Sequence, residues 1–345
     1  MTGQLKSGSV ISSMHSWSKI SKVGLPIILL LVMAWGSLAL YYQLENKPLR
    51  YALLFLWSGV CLTSLYALVV NYHVKYFLTV CGVAALGLSI WWVQIEPRLS
   101  REWADDVARI SSGVVQGDYV VLRDVRNFTW RTENDYDIVW ENRTYDLREL
   151  SRVDMFLSYW MGPAIAHTLV SFGFSDGSQV VFSVEIRKEK NEQFSALGGF
   201  FKKFEMTLIA ADERDIIRTR TNARGEDVFI YSVDMSPSAR RDLFLAYVEK
   251  ANELHRKAKF YHTLTANCTT IVYTMVSRIV GGLPRSYQLL LSGYLPEYLY
   301  KLNALVPGVE LAELKKQAYI NERALQAADD ASFSERIRVG VPHFH

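Results

Sequence analysis

Three apolar runs near the amino end constrain the fold of this chain more than any other feature. They lie at about residues 25–44, 51–70 and 76–95 and are joined by short polar connections. Each run is close to the roughly 20 residues that an α-helix needs to cross the hydrocarbon core of a membrane. Core helices of soluble proteins rarely stay apolar on all sides over such a length, so we predict three transmembrane helices within residues 24–96.

The basic residues predict which side of the membrane the rest of the chain reaches. Lysines in residues 1–23 and Lys75 favour a cytoplasmic location for the ends of the spans next to them. The opposite arrangement is favoured by Lys47, Arg50, Arg98 and Arg101. Three spans place the two ends of the chain on opposite sides. Although the charges are nearly balanced, we predict a cytoplasmic segment at residues 1–23 and a polar domain outside the cytoplasm.

Composition changes after residue 96, where the apolar region gives way to a polar one. Half of the 345 residues are hydrophobic, and the long apolar runs among them lie in the first hundred residues. The net charge of +3 is too small to indicate a nucleic-acid partner, and we predict none. The chain has three cysteines without metal spacing such as C-x-x-C, so we also predict no metal site and no cofactor.

Residue patterns in the polar part predict an α+β fold in which helices pack on an antiparallel sheet. Apolar residues at helical spacing predict a linker helix over residues 97–117. We place the domain itself at residues 118–309, with Asp215–Thr219 among its strands. Residues 310–345 are predicted to form a polar helical tail that becomes loose beyond Arg336.

A hairpin is the clearest strand signal, with Ile165–Phe174 and Gln179–Arg187 as its two arms. A two-residue turn would set apolar residues opposite polar ones. A three-residue loop at Ser175–Gly177, with a bulge at the glycine, aligns the apolar residues of both arms on one face. In that register the opposite face carries His167 directly across from Glu185.

A polar turn before a short helix holds the one cysteine of the polar part. Asn267 is a good N-cap, and Val272 begins a helical apolar pattern that ends at Gly281. Cys268 therefore lies in the first helical turn, where the helix dipole lowers the pKa of a thiol. The alternative is that Cys268 is a small buried apolar residue beside a cap.

A thiol nucleophile needs a base and a group that orients the base. Four of the seven histidines lie near the spans or at the carboxyl end: His15, His73, His343 and His345. Of the others, His255 ends a helix and His262 lies on the turn before Cys268, whereas His167 sits on a strand opposite Glu185. We predict Cys268 as nucleophile, His167 as base and Glu185 as orienting group. The alternatives are a satisfied strand histidine and a surface carboxylate.

Several stretches of the polar part resemble the Lnb N-terminal periplasmic domain family. Together they span roughly residues 120–280 and form a specific pattern. The matching stretches are Thr144–Asp146, Asp154–Trp160, Gly162–Thr168, Ser171–Phe174, Ser183–Lys188, Asp212–Asp215 and Phe260–Thr270. The family is similar to circularly permuted papain-like (NlpC/P60-like) thiol enzymes, in which a strand histidine precedes an Asn-Cys helix start.

The resemblance implies that Cys268 is the nucleophile and His167 its histidine. Asn267, Thr269, Ser171 and His262 are predicted to support the site, although Tyr261-His262 departs from the Tyr-Asn expected there. Members of the family are implicated in N-acylation of bacterial lipoproteins. That implies a thioester formed from a phospholipid acyl chain and its transfer to a lipoprotein amino terminus.

The leading prediction is therefore a cysteine-dependent acyltransferase anchored at the outer face of the bacterial inner membrane. Its partners would be the membrane, a phospholipid and a lipoprotein. One alternative is a periplasmic thiol peptidase or amidase acting on cell-wall peptide, because the same scaffold supports both reactions. The other is a non-catalytic domain that binds an envelope partner through a basic face around Arg218 and Arg220.

Overall fold

The computed structural model describes the backbone of residues 8–344 and the side chains of residues 24–344. Part of the predicted cytoplasmic segment 1–23, and His345, therefore lie outside the described residues. The chain divides into two compact units. The first contains the residues up to 96 together with residues 201–203, and the second contains residues 97–200 and those from 204 onward.

Three long helices form the first unit, and all three are long and apolar enough to cross a membrane. They are α1 (Gly8–Gln43), α2 (Lys47–Val70) and α3 (Val74–Gln94). The helices pack tightly where Gly36 lies against Trp57, because a Cβ at Gly36 would come within 2.5 Å of the indole. Apolar side chains such as Phe55 point away from the other helices and are exposed. Such a surface fits a lipid environment.

The second unit contains ten strands and seven helices among the described residues. The strands are β1 (Ser112–Gln116), β2 (Tyr119–Arg126), β3 (Thr129–Thr132), β4 (Asp135–Asp137), β5 (Trp140–Asp146), β6 (Leu150–Tyr159), β7 (Ala166–Phe174), β8 (Gln179–Arg187), β9 (Glu205–Ala211) and β10 (Asp227–Ser232). The helices are α4 (Glu213–Arg218), α5 (Pro237–Arg256), α6 (Cys268–Ile279), α7 (Leu295–Lys301), α8 (Leu311–Ala318), α9 (Asn321–Ala327) and α10 (Phe333–Arg336).

A mostly antiparallel sheet organises this unit, which confirms the predicted α+β class. Its strand order is β1-β2-β9-β8-β7-β6-β10, β5 also pairs with β2, and β3 and β4 form a separate ribbon. The contact between β2 and β9 is parallel. One face of the sheet packs on α5 and α6 through residues such as Phe172 and Phe182, and the other face packs on α4, α9 and α10 through residues such as Leu169 and Ile209.

The hairpin of β7 and β8 has the predicted register. Val170 lies opposite Phe182, and Phe172 lies opposite Val180. The backbone N–H of Phe174 donates to the carbonyl of Ser178 at 3.0 Å, which closes the predicted three-residue loop. Gly177 in that loop has a φ of +86°, a conformation that glycine adopts without strain. Matching of apolar faces therefore fixed this register, as the sequence pattern indicated.

Two predicted elements are wrong. Residues 97–117 do not form a linker helix, because they contain a single 3₁₀ turn at Asp105–Val107 followed by strand β1. Trp103 and Val107 are instead buried in the packed unit, so their spacing reflects burial of an irregular segment. Asp215–Thr219 is not a strand, since Asp212 caps helix α4 by accepting from the amide of Arg214.

The carboxyl-terminal segment is helical, as predicted for residues 310–345, but it is not loose. Phe333, Ile337 and Val341 are buried against the sheet. The guanidinium of Arg338 binds Asp154 on β6 and Glu213 on α4 at 2.8 and 2.5 Å. The polar composition of the segment concealed this apolar stripe, which packs because it faces one side of the sheet.

Candidate active site

The cysteine of the polar region begins helix α6. The Asn267 side chain accepts a hydrogen bond from the amide of Thr270 at 2.9 Å, and the Thr270 hydroxyl accepts from the amide of Asn267 at 2.9 Å. This reciprocal pair is a capping box, which fixes the start of the helix. Cys268 is consequently the first helical residue, and it is 8% exposed.

His167 lies near the start of β7 and is held by two groups on β8. Its Nε2 lies 2.7 Å from the Ser183 hydroxyl and 3.1 Å from Oε1 of Glu185. The Ser183 hydroxyl also donates to Oε1 of Glu185 at 2.7 Å. These contacts occupy Nε2, so Nδ1 is the ring nitrogen that remains available to the thiol.

The Cys268 thiol interacts with the His167 side chain and with the backbone N–H of Thr168, and both interactions favour the thiolate. Burial is the largest single effect and alone would raise the pKa of Cys268, but the charge and hydrogen bonding of His167 together with the Thr168 amide lower the pKa. Burial and the charge of Arg220 lower the pKa of His167, but the Glu185 carboxylate and Cys268 together raise it to about 9. The charges therefore favour a thiolate beside an imidazolium.

The two side chains meet where the pairing of β7 and β8 ends. The last paired residues are Leu169 and Ser183, although both strands continue beyond them. Alternation along β7 puts His167 on the face of Leu169, whereas Cys268 packs with the cluster on the opposite face. The end of the ladder is thus the place at which a thiol from one face reaches an imidazole from the other.

A buried chain of charges extends from Glu185 away from the thiol. The Arg220 guanidinium donates to Oε1 of Glu185 at 2.8 Å and to Glu226 at 3.2 Å. The Ser158 hydroxyl donates to the same Glu226 oxygen. Arg220 belongs to a π-helical turn at Thr219–Ala223 that follows α4.

Residues 136–293 match the Lnb N-terminal periplasmic domain family. We call the folded unit that contains this match the Lnb domain, after the family that it resembles. Searches of curated proteins and of solved structures found no match. The periplasmic family and the three membrane-length helices indicate an inner-membrane protein with a periplasmic domain.

The supporting residues predicted for the Lnb domain divide into two groups. Asn267 caps the helix, and Thr269 lies 3.9 Å from the Cys268 sulfur through its hydroxyl. Ser171 instead donates to Glu213 at 2.5 Å, four residues along β7 from His167. His262 contacts Thr265 through Nδ1 at 3.0 Å, and its ring lies against Phe200. We therefore do not include Ser171 or His262 in the site.

Sequence reasoning missed three residues of the Lnb domain that surround the pair. Ser183 could have been found, because it lies two positions from Glu185 on the same strand face. Arg220 was hidden by the incorrect strand prediction before it. Tyr247 lies on α5 and is fully buried. Its hydroxyl is buried without a hydrogen-bond partner among residues 24–344, and burial, followed by the charge of Cys268, raises the pKa of Tyr247.

The basic face predicted for a binding role does not form as an open surface. Arg220 is buried between two carboxylates. Arg218 donates to the backbone carbonyl of Trp130 at 2.6 Å, and Arg214 pairs with Asp329 at 3.6 Å. These arginines bind other groups of the domain. Their closeness in sequence therefore did not indicate a shared exposed surface.

Exposed apolar side chains lie on three segments: directly after β6, in the 194–200 loop and in the turn before Cys268. We call this set the apolar rim: Trp160, Met161, Phe194, Leu197, Phe200 and Leu264. Trp160 directly follows β6 and lies edge-on to Phe194, with ring centroids 6.2 Å apart. The Thr263 hydroxyl donates to the carbonyl of Ala196 at 2.7 Å, which joins the 194–200 loop to the turn before Cys268.

A cavity of about 400 Å³ lies at the opposite end of the β7–β8 hairpin. Arg143 and residues of the hairpin tip line it, and the candidate catalytic residues do not. Arg143 is already paired with Glu141 and Asp212, each at 2.8 Å. The cavity therefore gives no reason to move the candidate site away from Cys268.

Proposed function

We propose that this protein is a membrane-anchored, cysteine-dependent acyltransferase that moves an acyl chain from a lipid ester to a lipoprotein amine. The observation that carries the proposal is the contact between Cys268 and His167, with His167 held by Glu185. A thiol whose pKa is lowered by an adjacent imidazolium is a nucleophile at neutral pH.

In the first half-reaction the Cys268 thiolate attacks the carbonyl carbon of the donor ester and a C–S bond forms. The C–O bond to the donor breaks, and the departing oxygen takes the proton from Nδ1 of His167. The products are a thioester on Cys268 and a lysolipid alcohol. Glu185 keeps the imidazole in the orientation that this proton transfer needs.

In the second half-reaction an amine attacks the thioester carbonyl. His167, now neutral, accepts a proton from the amine nitrogen while the C–S bond breaks and its electron pair returns to sulfur. The product is an amide, and the thiolate–imidazolium pair is restored.

The apolar rim supports a lipid donor over a soluble one. Its six side chains are all exposed, although most residues of their size and polarity are buried in soluble domains. A rim of this kind offers apolar contacts to an acyl chain. The three membrane-length helices anchor the chain in the membrane, which contains the proposed lipid donor.

We further propose that the helices α1, α2 and α3 are all spans, that the amino end is cytoplasmic and that the Lnb domain lies in the periplasm. The family supports the location of the domain. Three spans are consistent with a cytoplasmic amino end, because an odd number of crossings separates the two ends.

Trapping of the acyl-enzyme tests the activity. The full chain in detergent is incubated with a fluorescent phospholipid whose acyl chain carries the dye. We expect wild-type protein to retain a label that neutral hydroxylamine releases, and Cys268→Ala to retain none. The double variant Cys61→Ser, Cys81→Ser is the matched control, because both cysteines lie in α2 and α3. Undiminished thioester labelling of Cys268→Ala would contradict the proposal.

The same pair of residues can also hydrolyse an amide, so a thiol peptidase or amidase is the second candidate. It requires cleavage of soluble cell-wall peptide without lipid. That result, together with an absence of acyl label on Cys268, would replace the acyltransferase proposal.

A further inference from the structure

Arg220 makes a contact whose purpose the two-step chemistry does not itself explain. One oxygen of Glu185, Oε1, lies 3.1 Å from Nε2 of His167, 2.7 Å from the Ser183 hydroxyl and 2.8 Å from the Arg220 guanidinium. The arginine therefore binds the same carboxylate oxygen as the histidine. Only 6% of Arg220 is exposed, so solvent screens this contact little.

The contact has an electrostatic reason. Arg220 also binds Glu226 at 3.2 Å, and it thus joins two carboxylates that are largely removed from water. Burial raises the pKa of Glu185, but the charges of His167 and Arg220 lower it well below its usual value. Without the guanidinium, two neighbouring buried carboxylates would compete for a proton.

The backbone around Arg220 is fixed from another part of the sheet. The Thr219 hydroxyl donates to the carbonyl of Asp215 at 2.6 Å at the start of the π-helical turn. Asp215 in turn binds Arg126 of β2 at 2.7 Å and accepts from the Trp130 indole at 2.7 Å. Short π-helical turns within helices are frequent at functional sites.

We propose that Arg220 is a positioning residue, which holds the Glu185 carboxylate charged and oriented toward His167 and thereby keeps His167 aligned with Cys268. This role rests on the proposed thiol chemistry. The titratable and charged groups around His167 and Glu185 come from every element packed on them: Cys268 of α6, Arg126 of β2, Arg220 and Arg224 of the turn after α4, Glu226 before β10, and Tyr261 before α6.

Arg338 provides a matched control, because it is also a buried arginine between two carboxylates. It binds Asp154 at 2.8 Å and Glu213 at 2.5 Å on the same side of the sheet. Its partners do not bind His167. Loss of Arg338 therefore removes a buried ion-pair cluster without removing a contact of Glu185, and it reports the effect of destabilisation alone.

The experiment measures the rate at which iodoacetamide alkylates Cys268 in the detergent-solubilised full chain, with mass spectrometry of the Cys268 peptide from pH 5 to 10. We expect Arg220→Gln and Glu185→Gln each to lower the rate at neutral pH on the order of tenfold or more, since each pKa unit changes the thiolate fraction about tenfold. Arg220→Lys, which keeps the charge, retains most of the wild-type rate. Arg338→Gln lowers the melting temperature but leaves the rate and its pH profile unchanged.

The double variant Arg220→Gln, Glu185→Gln decides whether the arginine acts through the carboxylate. If Arg220 acts through Glu185, the double variant is alkylated about as slowly as either single variant. Two independent, multiplying losses would overturn the proposal, as would a wild-type rate in Arg220→Gln. If circular dichroism shows that Arg220→Gln does not fold, Arg220→Lys replaces it. An alkylation rate in Arg220→Lys as low as that in Glu185→Gln would then overturn the proposal. Alkylation does not depend on any acyl donor, so the proposed acyltransferase function can fail in its own test without affecting this one.

Discussion

The sulfur of Cys268 is subject to opposing effects that differ in their origin. Burial disfavours its charged form, whereas the helix start, the Thr168 amide and His167 favour it. The favourable effects prevail because an imidazolium in direct contact acts over a short distance in a poorly screened site. A buried thiol without such a partner would be inert.

The same balance predicts a pH profile. The pKa of Cys268 is lowered and that of His167 is raised to about 9, so the ion pair persists between the two values. We expect acyl transfer to be fastest near neutral pH and to fall as pH rises through about 9, because His167 then has no proton for the leaving oxygen. Initial rates from pH 5 to 10 measure this.

Stability should change in the same alkaline range. The pKa of His167 is raised above its usual 6.5, so its contribution to stability is fully present below 6.5 and is lost as pH rises through about 9. Chemical denaturation from pH 6 to 10 measures this contribution. His167→Gln is the control, and its free energy of unfolding should not show this decrease. For the activity, a rate of acyl transfer that rises steadily beyond pH 9, as for an ordinary thiol, would contradict the ion pair between Cys268 and His167.

Helix α6 shows how a cap sets the chemistry of the residue that follows it. Asn267 both accepts from Thr270 and donates through its amide to the carbonyl of Thr263 at 2.6 Å. The first contact starts the helix, and the second holds the turn that leads into it. The element thereby presents Cys268 at its positive end.

Substitution of the cap separates these effects. Asn267→Ala should lower the free energy of unfolding by about 1 kcal/mol, because it removes the cap. Asn267→Asp keeps an acceptor for Thr270 but adds a negative charge beside the thiol, so the pKa of Cys268 should rise and its alkylation at neutral pH should slow. Chemical denaturation and alkylation rates measure the two outcomes. An alkylation rate for Asn267→Asp above that of wild type would show that the added charge does not act on the thiol.

The hairpin illustrates what an element reveals from sequence. Its arms, its three-residue loop and its register were all predictable, because a shift of one residue would turn every apolar side chain to the wrong face. The conformations of residues 97–117 and of Asp215–Thr219 were not predictable, and the helix and the strand predicted there do not form. Burial of Trp103 and Val107 in an irregular segment accounts for the apolar spacing in the first place, and the Asp212 cap starts a helix in the second.

At the scale of the whole molecule, the folded unit extends beyond the residues that match the family. Strands β1 to β3 precede residue 136, and helices α7 to α10 follow residue 293. Phe333 and Ile337 are fully buried in the core that these additions complete. The matched segment is thus the part that contains the candidate site, within a larger packed domain.

The proposed topology gives a prediction at this scale. In a chain whose three native cysteines are replaced, Asp176→Cys places a single thiol in the exposed hairpin loop of the Lnb domain. A membrane-impermeant maleimide should label this thiol in intact spheroplasts. Thr2→Cys on the same background should react only after the membrane is permeabilised. Labelling of the amino-terminal position alone in intact spheroplasts would reverse the proposed orientation.

The sequence by itself determined the membrane-length helices, the cap that starts α6 and the register of the β7–β8 hairpin. Each depends on neighbouring residues, through continuous apolar character, a side chain that binds nearby amides, or alternation with a period of two. Only the tertiary structure decided that Cys268 meets His167 where a strand ladder ends, and that Arg220 lies behind Glu185. These contacts join segments far apart in the chain, and packing of both sheet faces sets where such segments return.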